Sequence, residues 1–486
     1  MSCIFHLMMN ILLSAQFVLS FISFVVFFLS VLLPLIVIYL RRQITLKRKI
    51  LRDSHKDKTI VGLFHPYCNA GGGGERVLWC AIRSLQKRHP SAIYYIYTGD
   101  TEAFPEAILK NVRDNFSINL DEKSIKFIYL RRRKWVEGST YPYFTLLAQS
   151  LGSMWLSLEA IDKLQPDIMI DTMGYAFTYP VFKYIGQCKV ACYTHYPTIT
   201  SDMLKRVYSR AITHNNRRMI ANSSLLTSVK AFYYRIFGKI YGVVGRCSDA
   251  IMVNSSWTED HINDIWNVPM RTHRIYPPCD VENLKQLTKL PYDKIKIISL
   301  GQFRPEKNHP LQLRAMYELR TILSERLFDQ VELCIIGSCR NAEDQTRVKD
   351  MQDLCKHLSL ENHVKFKINI SYEELHKELR EGTIGIHSMW NEHFGIGIVE
   401  CMAAGLIMVA HKSGGPLRDI IETSEPSKTG YLATTDQEYA CAIAAIIYLN
   451  EMQRASIAAA ARASVDRFSE EEFDIGFARV MAPLFD

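Results

Sequence analysis

The segment between residues 383 and 410 constrains the fold more than any other part of the sequence. Its two apolar runs, residues 383–388 and 406–410, have the length and composition of buried strands. A glycine-containing turn and a short helix of small residues separate them. This order of strand, turn, helix and strand predicts a βαβ unit of a parallel sheet. Ligands of such sheets bind at the carboxyl ends of the strands, where the turn lies.

The turn in this unit carries two carboxylates. Glu392 precedes the predicted helix and Glu400 lies one turn inside it, so both side chains can reach one ligand. Backbone N–H groups near Gly395 and Ile396 begin the helix, where they favour a phosphate. An isolated pair of glutamates is more often a solvated helix start, but the glycine turn and the buried strands favour a ligand site here.

Four consecutive glycines mark a second predicted turn between a strand and a helix. Gly71, Gly72, Gly73 and Gly74 follow the strand predicted at residues 59–64. Without side chains they let the backbone approach a bulky anion or a sugar. The segment lacks the Gly-Lys-Ser/Thr ending of a Walker loop and does not match GxGxxG. A flexible surface loop is the alternative.

Three further candidate side chains lie at predicted strand ends. His195 follows the strand at residues 189–194, at the ligand edge of a sheet, although a lone histidine is more often structural. Arg304 and Lys307 follow the strand at residues 295–300 and could clamp a diphosphate opposite the acidic turn. No Asp-x-Asp pair is well placed and the cysteines lack zinc spacing, so we expect neither a metal nor another cofactor.

Length and composition allow more than one globular domain. The chain has 486 residues, of which 48% are apolar and 22% are charged, and this suffices for two or three domains. Strand and helix patterns alternate on both sides of the paired prolines at 277–278. We therefore predict two Rossmann-like domains, at residues 58–285 and 286–465. Residues 466–486 predict a C-terminal helix that could cross back to the first domain.

Residues 1–57 predict a membrane anchor with a basic flank. The run from residue 11 to residue 40 is apolar and uncharged, and it exceeds the ~20 residues that cross a bilayer. Lys and Arg are frequent in residues 41–52 and absent from the first ten residues, so the positive-inside rule places the rest of the chain in the cytosol. A cleaved signal peptide would have a basic start and a shorter apolar core. A buried helix of a soluble core is the alternative.

Two other segments have the composition of membrane-surface elements. Residues 203–248 carry nine Lys or Arg and no Asp or Glu, with aromatic residues between them. This pattern suits an anionic membrane surface, a nucleic acid or a plain solvated face, but no nucleic-acid-binding motif accompanies it. Residues 144–161 are nearly all apolar and predict either a core helix or a helix at the membrane interface.

The assembled order resembles a retaining, nucleotide-sugar-dependent glycosyltransferase of family four with the GT-B fold, in which two Rossmann-like domains face a cleft. The mark of that family is two glutamates separated by seven residues, which Glu392 and Glu400 match. Further matching blocks are residues 66–76, 193–197, 301–309 and 411–416. Together with the N-terminal run, they resemble the members that transfer mannose from GDP-mannose, in α-1,2 linkage, to a dolichyl-pyrophosphate-linked oligosaccharide. The resemblance covers about residues 58–480.

The resemblance implies roles for the second-domain candidates. Glu392 would hold hydroxyls of the donor mannose, and Glu400 would hold the nucleotide ribose. Lys307 and Arg304 would bind the diphosphate, aided by the helix amides. One departure concerns Gln302, which takes the position where many relatives have an arginine, so that Arg304 follows two residues later.

The resemblance also implies roles for the first domain and for partners. The glycines at 71–74 would face the diphosphate and the sugar, and His195 would lie beside the donor sugar and the acceptor. The implied setting is the membrane of the endoplasmic reticulum, spanned once, with the catalytic domains in the cytosol. The implied partners are GDP-mannose, the dolichyl-pyrophosphate-linked acceptor, the membrane and other glycosyltransferases of the same pathway, with no nucleic acid.

Three other functions remain open at the level of the sequence. One is a membrane-attached glycosyltransferase of the same family with a different nucleotide sugar or glycolipid acceptor. Another is a non-catalytic scaffold that retains the fold, which the presence of Glu392, Glu400 and Lys307 disfavours. The third is an RNA-binding protein that uses the basic segment at residues 203–248.

Overall fold

The computed structural model of the chain contains two α/β domains, each built on an all-parallel sheet. It describes residues 16–17, 20, 23–24, 26–54, 58–200, 202–203, 224–339 and 341–486. Each predicted sheet is therefore present. The parallel arrangement follows from the sequence, because strands that are apolar along their whole length must be covered by helices on both faces.

The sheet of the first domain has seven strands in the order β3-β2-β1-β4-β5-β6-β7. These strands are β1 (Ile60–Phe64), β2 (Ile93–Thr98), β3 (Ile125–Tyr129), β4 (Ile168–Asp171), β5 (Lys189–Thr194), β6 (Ala250–Val253) and β7 (Thr272–Arg274). The strand order reverses between β1 and β4. A ligand crevice opens at such a reversal, beyond the carboxyl ends of the two strands.

Six helices described in the first domain cover this sheet. They are α1 (Leu33–Ser54), α2 (Gly73–Arg88), α3 (Pro105–Phe116), α4 (Thr145–Lys163), α5 (Ser224–Gly245) and α6 (Ser256–Trp266). Alternate residues of β1 point to opposite faces, so that Leu63 packs with α2 and α3 while Phe64 packs with α1, α4 and α5. The first domain thus has two separate hydrophobic layers.

The sheet of the second domain has six strands in the order β10-β9-β8-β11-β12-β13. They are β8 (Ile295–Leu300), β9 (Val331–Gly337), β10 (Val364–Ile368), β11 (Ile384–His387), β12 (Ile407–His411) and β13 (Gly430–Ala433). The helices are α7 (Val281–Lys285), α8 (His309–Ile322), α9 (Glu325–Phe328), α10 (Ala342–His357), α11 (Tyr372–Glu381), α12 (Ile396–Ala403), α13 (Asp436–Tyr448) and α14 (Glu451–Ser464). Here the order reverses between β8 and β11, which places the acidic turn after β11 at the crevice.

The last helix, α15 (Glu470–Phe485), packs against the first domain rather than the second. Phe473 and Phe477 are buried among residues of α2 and of the first sheet. At the surface of this contact, Arg88 pairs with Asp474 at 2.8 Å, and Lys189 donates to the carbonyl oxygen of Leu484 at 3.0 Å. Helix α15 therefore completes the hydrophobic core of the first domain.

The predicted membrane anchor is only partly described. Residues 11–15, 18–19, 21–22 and 25 of the apolar run lie outside the described residues. Among the residues that are described, no helix is both long enough and apolar enough to cross a membrane. The described end of the run continues through the π-helical Phe28–Leu32 into α1, which is tied to the first domain by buried Ile44 and an ion pair between Arg48 and Asp167. The anchor stays a prediction.

The two other candidate membrane elements are also described in part. Residues 204–223 of the basic segment lie outside the described residues, and the rest of that segment forms α5 and the start of the next loop. The apolar segment at 144–161 is α4. One side of α4 packs on the sheet through Leu156, whereas Leu151 and Trp155 on its other side are exposed.

Candidate active site

The predicted βαβ unit at the centre of the second sheet is present, and its turn carries Glu392. β11 ends at His387, and α12 begins at Ile396. Gly395 adopts a φ of 115°, a left-handed conformation that glycine tolerates, and this lets the chain enter α12 directly. The turn rests on the loop after β12, where the N–H of Gly415 donates to the carbonyl oxygen of Glu392 at 2.8 Å.

The carboxylate of Glu392 is buried and contacts two nitrogen atoms through one of its oxygens. Lys307 Nζ forms an ion pair with Oε2, and Nε2 of His387 lies 3.1 Å from the same oxygen. Burial opposes ionisation, but the Lys307 ammonium and the hydrogen bond from His387 outweigh it and hold the pKa of Glu392 well below its usual range. Glu392 is therefore a carboxylate of fixed orientation at neutral pH.

Of the two predicted phosphate-binding cations, only Lys307 reaches the acidic turn in the described contacts. Both residues follow β8: Arg304 precedes the short 3-10 helix Pro305–Lys307, and Lys307 ends it. The methylene chain of Lys307 passes over Gly301, where an added Cβ would lie 3.6 Å from the lysine Cδ. The side chain of Arg304 is 44% exposed and lies 3.8 Å from Glu306. Arg304 is thus free to move toward a ligand but is not positioned by the site.

The glycine run meets the start of α12 from the opposite side of the cleft. A Cβ added to Gly73 would lie 2.5 Å from Cδ1 of Ile396. One added to Gly74 would lie 3.6 Å from Nε2 of His195. The absence of a side chain at Gly73 therefore lets the first domain approach α12 closely, whereas Gly74 faces His195 of its own domain at an ordinary contact distance.

The first half of the glycine run forms the entry to α2. Gly71 adopts a φ of 72°, in the left-handed region. The N–H of Gly72 donates to the carboxylate of Glu75, which closes the first turn of the helix. Glu75 also lies 3.3 Å from Nε2 of His65, the residue after β1. This network fixes the path of the backbone at the cleft.

His195 lies where β5 ends and is half-buried. Its Nε2 lies 3.2 Å from the carbonyl oxygen of Thr172, so a neutral ring donates from that nitrogen. Desolvation and the nearby His65 lower the pKa of His195 to about 4. A neutral imidazole at this place suits hydrogen bonding to a hydroxyl group better than contact with a phosphate.

Glu400 has a partner that the sequence did not suggest. Arg76 of the first domain is buried, and its Nη1 lies 3.8 Å from Oε1 of Glu400. Desolvation raises the pKa of Glu400 to about 7; Arg76 opposes this rise and Asp280 adds to it. Glu400 therefore titrates near neutral pH, in contrast to Glu392. Arg76 follows Glu75, which comes directly after the glycine run. Its position in the first turn of α2, at the ligand edge of the sheet, is the sequence signal that could have identified it.

The acidic turn also contacts aromatic residues of the first domain. The ring of His393 lies 4.0 Å from that of Tyr196 and 5.3 Å from that of Trp257, measured between centroids. Beside them, the amide of Asn391 donates to Asp202 at 3.2 Å. These contacts across the cleft depend on the approach of the two domains, so no local sequence pattern could indicate them.

Within the described part of the chain, no group of three or more His, Cys, Asp or Glu side chains could hold a metal ion. The expectation of a reaction without a metal stays a prediction, and a chelator tests it.

Two solved structures share the fold of this chain. One is Anabaena HepE in complex with UDP and glucose, with a TM-score of 0.61 at 16% identity over 87% of this chain and 100% of that one. Another is sucrose-phosphate synthase from Thermosynechococcus elongatus, with a TM-score of 0.63 at 16% identity over 88% of this chain and 99% of that one. This likeness shows the fold, which is GT-B.

Two family descriptions match successive parts of the sequence. Residues 58–266 match "ALG11 mannosyltransferase N-terminus", and residues 280–463 match "Glycosyl transferases group 1". Fold and family together define the class of protein as a GT-B glycosyltransferase.

Relatives from a frog, a mammal and an amoeba share one name, GDP-Man:Man(3)GlcNAc(2)-PP-Dol alpha-1,2-mannosyltransferase. The Xenopus laevis protein is 50% identical over 94% of both chains. The Homo sapiens protein is 47% identical over 94% of both chains. The Dictyostelium discoideum protein is 46% identical over 90% of this chain and 88% of its own. The chain belongs to this family of α-1,2-mannosyltransferases.

Proposed function

We propose that the chain transfers mannose from GDP-mannose, in α-1,2 linkage, to Man3GlcNAc2-pyrophosphoryl-dolichol, and that it adds the fourth and the fifth mannose. The observation that carries this function is the 50% identity over 94% of both chains with a relative of that name. The enzyme belongs to the assembly of the lipid-linked precursor of N-glycans. Its place is the membrane of the endoplasmic reticulum, with both domains on the cytosolic side.

The donor binds mainly to the second domain. Glu392, fixed by two nitrogen atoms on one oxygen, offers its other oxygen to the hydroxyls of the mannose. Glu400 accepts hydrogen bonds from the ribose. The diphosphate lies against Lys307 and the N–H groups at the start of α12, including those of Gly395 and Ile396, because a helix N-terminus favours an anion. Arg304 completes the diphosphate contacts from the exposed side.

The reaction breaks the bond between the anomeric carbon of mannose and the diphosphate oxygen. Negative charge grows on the departing GDP, and the Lys307 ammonium and the helix amides stabilise it where it develops. Retention without an obvious protein nucleophile favours attack from the front face, in which the departing phosphate takes the proton of the acceptor hydroxyl. Closure of the two domains excludes water that would hydrolyse the donor.

The acceptor binds mainly to the first domain. Gly73 lies close to Ile396 and Gly74 faces His195, so the two glycines border the place where the acceptor hydroxyl meets the donor sugar. His195, neutral because its pKa is lowered to about 4, forms a hydrogen bond with a sugar hydroxyl. It is therefore a binding and orienting residue rather than a charged one.

The outer side of helices α1, α4 and α5 lies against the membrane. These helices share one hydrophobic layer of the first domain, and each also exposes apolar side chains, such as Ile38, Trp155 and Phe232. Cations accompany them, since the guanidinium of Arg132 lies 5.6 Å from the ring of Trp155. Exposed apolar area beside cations fits an anionic bilayer surface. Replacement of Trp155 and Phe232 by serine should release the protein from vesicles that contain anionic lipid, whereas unchanged binding would refute this surface.

The decisive experiment measures mannose transfer by the purified full chain. The assay contains GDP-mannose, a Man3GlcNAc2-pyrophosphoryl lipid and EDTA, with UDP-sugars as control donors. A product larger by two mannoses, which an α-1,2-mannosidase shortens again, is the expected result and also tests the absence of a metal requirement. Transfer from another nucleotide sugar, with none from GDP-mannose, would replace the donor assignment and leave the fold and class intact.

A further inference from the structure

His387 is the last residue of β11 and contacts the carboxylate of Glu392 from within the domain. Its Nε2 lies 3.1 Å from Oε2 of Glu392, the oxygen that also pairs with Lys307. The His387 side chain is buried. Its second nitrogen, Nδ1, is a buried polar atom for which the described residues supply no hydrogen-bond partner. The contact with Glu392 is therefore the one hydrogen bond that this imidazole makes within the described part of the chain.

The protonation state of His387 follows from these surroundings. Burial lowers the pKa of His387, and the Lys307 ammonium lowers it further, although the hydrogen bond to Glu392 opposes both effects. A neutral imidazole has one N–H, and an ionised carboxylate only accepts. The proton must therefore be on Nε2, so that His387 donates to Glu392.

The single ammonium group of Lys307 has two possible partners, Glu392 and the diphosphate. In the described structure it pairs with Glu392. During the transfer reaction it is needed at the diphosphate, where charge develops. A lysine side chain has a flexible stem and can turn between these partners. His387 has no such freedom, because it is buried at the end of a strand in the middle of the sheet.

We propose that His387 is a positioning residue for mannose transfer, which keeps Glu392 oriented toward the donor sugar while Lys307 contacts the diphosphate. The inference rests on the proposed function for the roles of Glu392 and Lys307. It assigns to Nε2–H the task of holding Oε2, so that Oε1 stays directed at the sugar. Because His387 is neutral, it does this without adding a second positive charge that would compete with Lys307 for the diphosphate.

Two substitutions separate this role from simple packing. His387→Gln retains an N–H donor of similar reach, whereas His387→Leu fills the space without one. The matched control is His363→Leu in the same domain, where the half-buried imidazole lies 3.1 Å from the carbonyl oxygen of Val331 and has no part in the site. Each variant is compared with the wild type in transfer from GDP-mannose and in calorimetric binding of GDP and of GDP-mannose.

The expected pattern distinguishes the sugar from the nucleotide. His387→Leu should lower kcat/KM about 10- to 100-fold, the effect of losing a hydrogen bond to a charged group. Its affinity for GDP-mannose should fall, while its affinity for GDP stays within about twofold because Glu392 contacts the sugar. His387→Gln should remain within about fivefold of the wild type. Equal losses in both variants, or full activity in His387→Leu, would overturn the proposal.

A measurement that does not depend on activity separates this proposal from the proposed function. Nitrogen-15 NMR of histidine-labelled protein, assigned with His387→Gln, should show a neutral His387 ring at pH 7 with its proton on Nε2. A proton on Nδ1 would overturn the positioning role even if mannose transfer is found. If the wild type transfers no mannose from GDP-mannose, the proposed function fails, and since the proposed role exists only in that reaction, the positioning role fails with it whatever the ring tautomer.

Discussion

Arg76 of the first domain lies 3.8 Å from Glu400 of the second, so a buried ion pair crosses the cleft between the domains. The same guanidinium lies 3.0 Å from Glu470 of α15 and 3.8 Å from Asp280, the residue before α7. One cation thus contacts three separate parts of the chain. Removal of one member of such a buried network leaves the charges of the others uncompensated.

Arg76→Met should make donor binding depend on a higher pH. The pKa of Glu400 is about 7 with Arg76 beside it, and Arg76 is the group that lowers this pKa. A carboxyl group with a raised pKa is protonated below that value, so binding that needs the carboxylate strengthens as the pH rises through it. In the variant this rise should move above pH 7, which GDP-mannose affinities measured between pH 6 and 9 would show.

The matched control for this prediction is Arg83→Met. Arg83 also pairs with Glu470, at 2.7 Å, but it has no described contact with Glu400. The Arg83→Met substitution should therefore leave the pH dependence of donor binding unchanged. An equal shift in both variants would assign the effect to the C-terminal helix instead.

Lys307→Ala should lower the rate more than the affinity. If Lys307 binds the diphosphate as proposed, its partner charge grows in the transition state, and loss of one such group typically costs about 10²–10³ in kcat. Arg304→Ala should cost much less, because its side chain is 44% exposed and is not held at the acidic turn. Steady-state kinetics with varied GDP-mannose separate the two parameters, and equal losses in kcat for both variants would contradict the assignment.

Glu400→Ala should behave in the opposite way to Lys307→Ala. If the carboxylate holds the ribose, its removal weakens the ground state and the transition state alike, which raises the KM for GDP-mannose and leaves kcat nearly unchanged. Steady-state kinetics with varied GDP-mannose measure both parameters for this variant. Identical kinetic profiles for the two alanine variants would remove the distinction between a ribose contact and a diphosphate contact.

Gly73→Ala should lower activity without lowering stability. Alanine is a better helix residue than glycine, but the new Cβ would lie 2.5 Å from Cδ1 of Ile396, so the Ile396 side chain would have to turn away at the start of α12, where the donor is proposed to bind. Gly74→Ala is the control, since its Cβ would meet His195 at an ordinary 3.6 Å. The double variant Gly73→Ala with Ile396→Ala should recover activity, and failure to recover it would show that the backbone of Gly73, not the space beside it, is needed.

Phe477→Ala should destabilise the first domain although it lies near the C-terminus. The ring is fully buried in that core, and such truncations typically cost about 3–5 kcal/mol. Ile475 on the same helix is 51% exposed, so Ile475→Ala should change the free energy of unfolding by less than about 0.5 kcal/mol. Denaturant titration of both variants tests the difference, and similar midpoints would contradict the packing of α15.

The sequence was sufficient to predict those features that depend on local patterns of residues. Apolar strands bounded by turns predicted both parallel sheets, and the glycine turn after residue 388 predicted the start of α12. The same reasoning placed Glu392 and Lys307 at strand ends of one sheet. Because neighbouring parallel strands end at one edge, nearness of the two residues followed from the fold alone.

The partners of these residues could not be predicted in the same way. Which cation reaches Glu392 depends on a few ångströms of turn geometry, and the sequence placed Arg304 and Lys307 at the same strand end. His387 was hidden within an apolar strand, and Arg76 meets Glu400 only because two domains face each other. Contacts of this kind arise from tertiary packing, for which no spacing within the chain is a guide.

The return of α15 to the first domain sets an order of events during synthesis. Val77 and Leu78 of α2 share a buried cluster with Phe473, Phe477 and Met481, which are translated some four hundred residues later. Until those residues leave the ribosome, this side of the first domain presents an uncovered apolar surface to the solvent. The first domain is therefore synthesised first but completed last. A chain that stops before residue 470 would contain both sheets but would lack α15, which covers one side of the first domain.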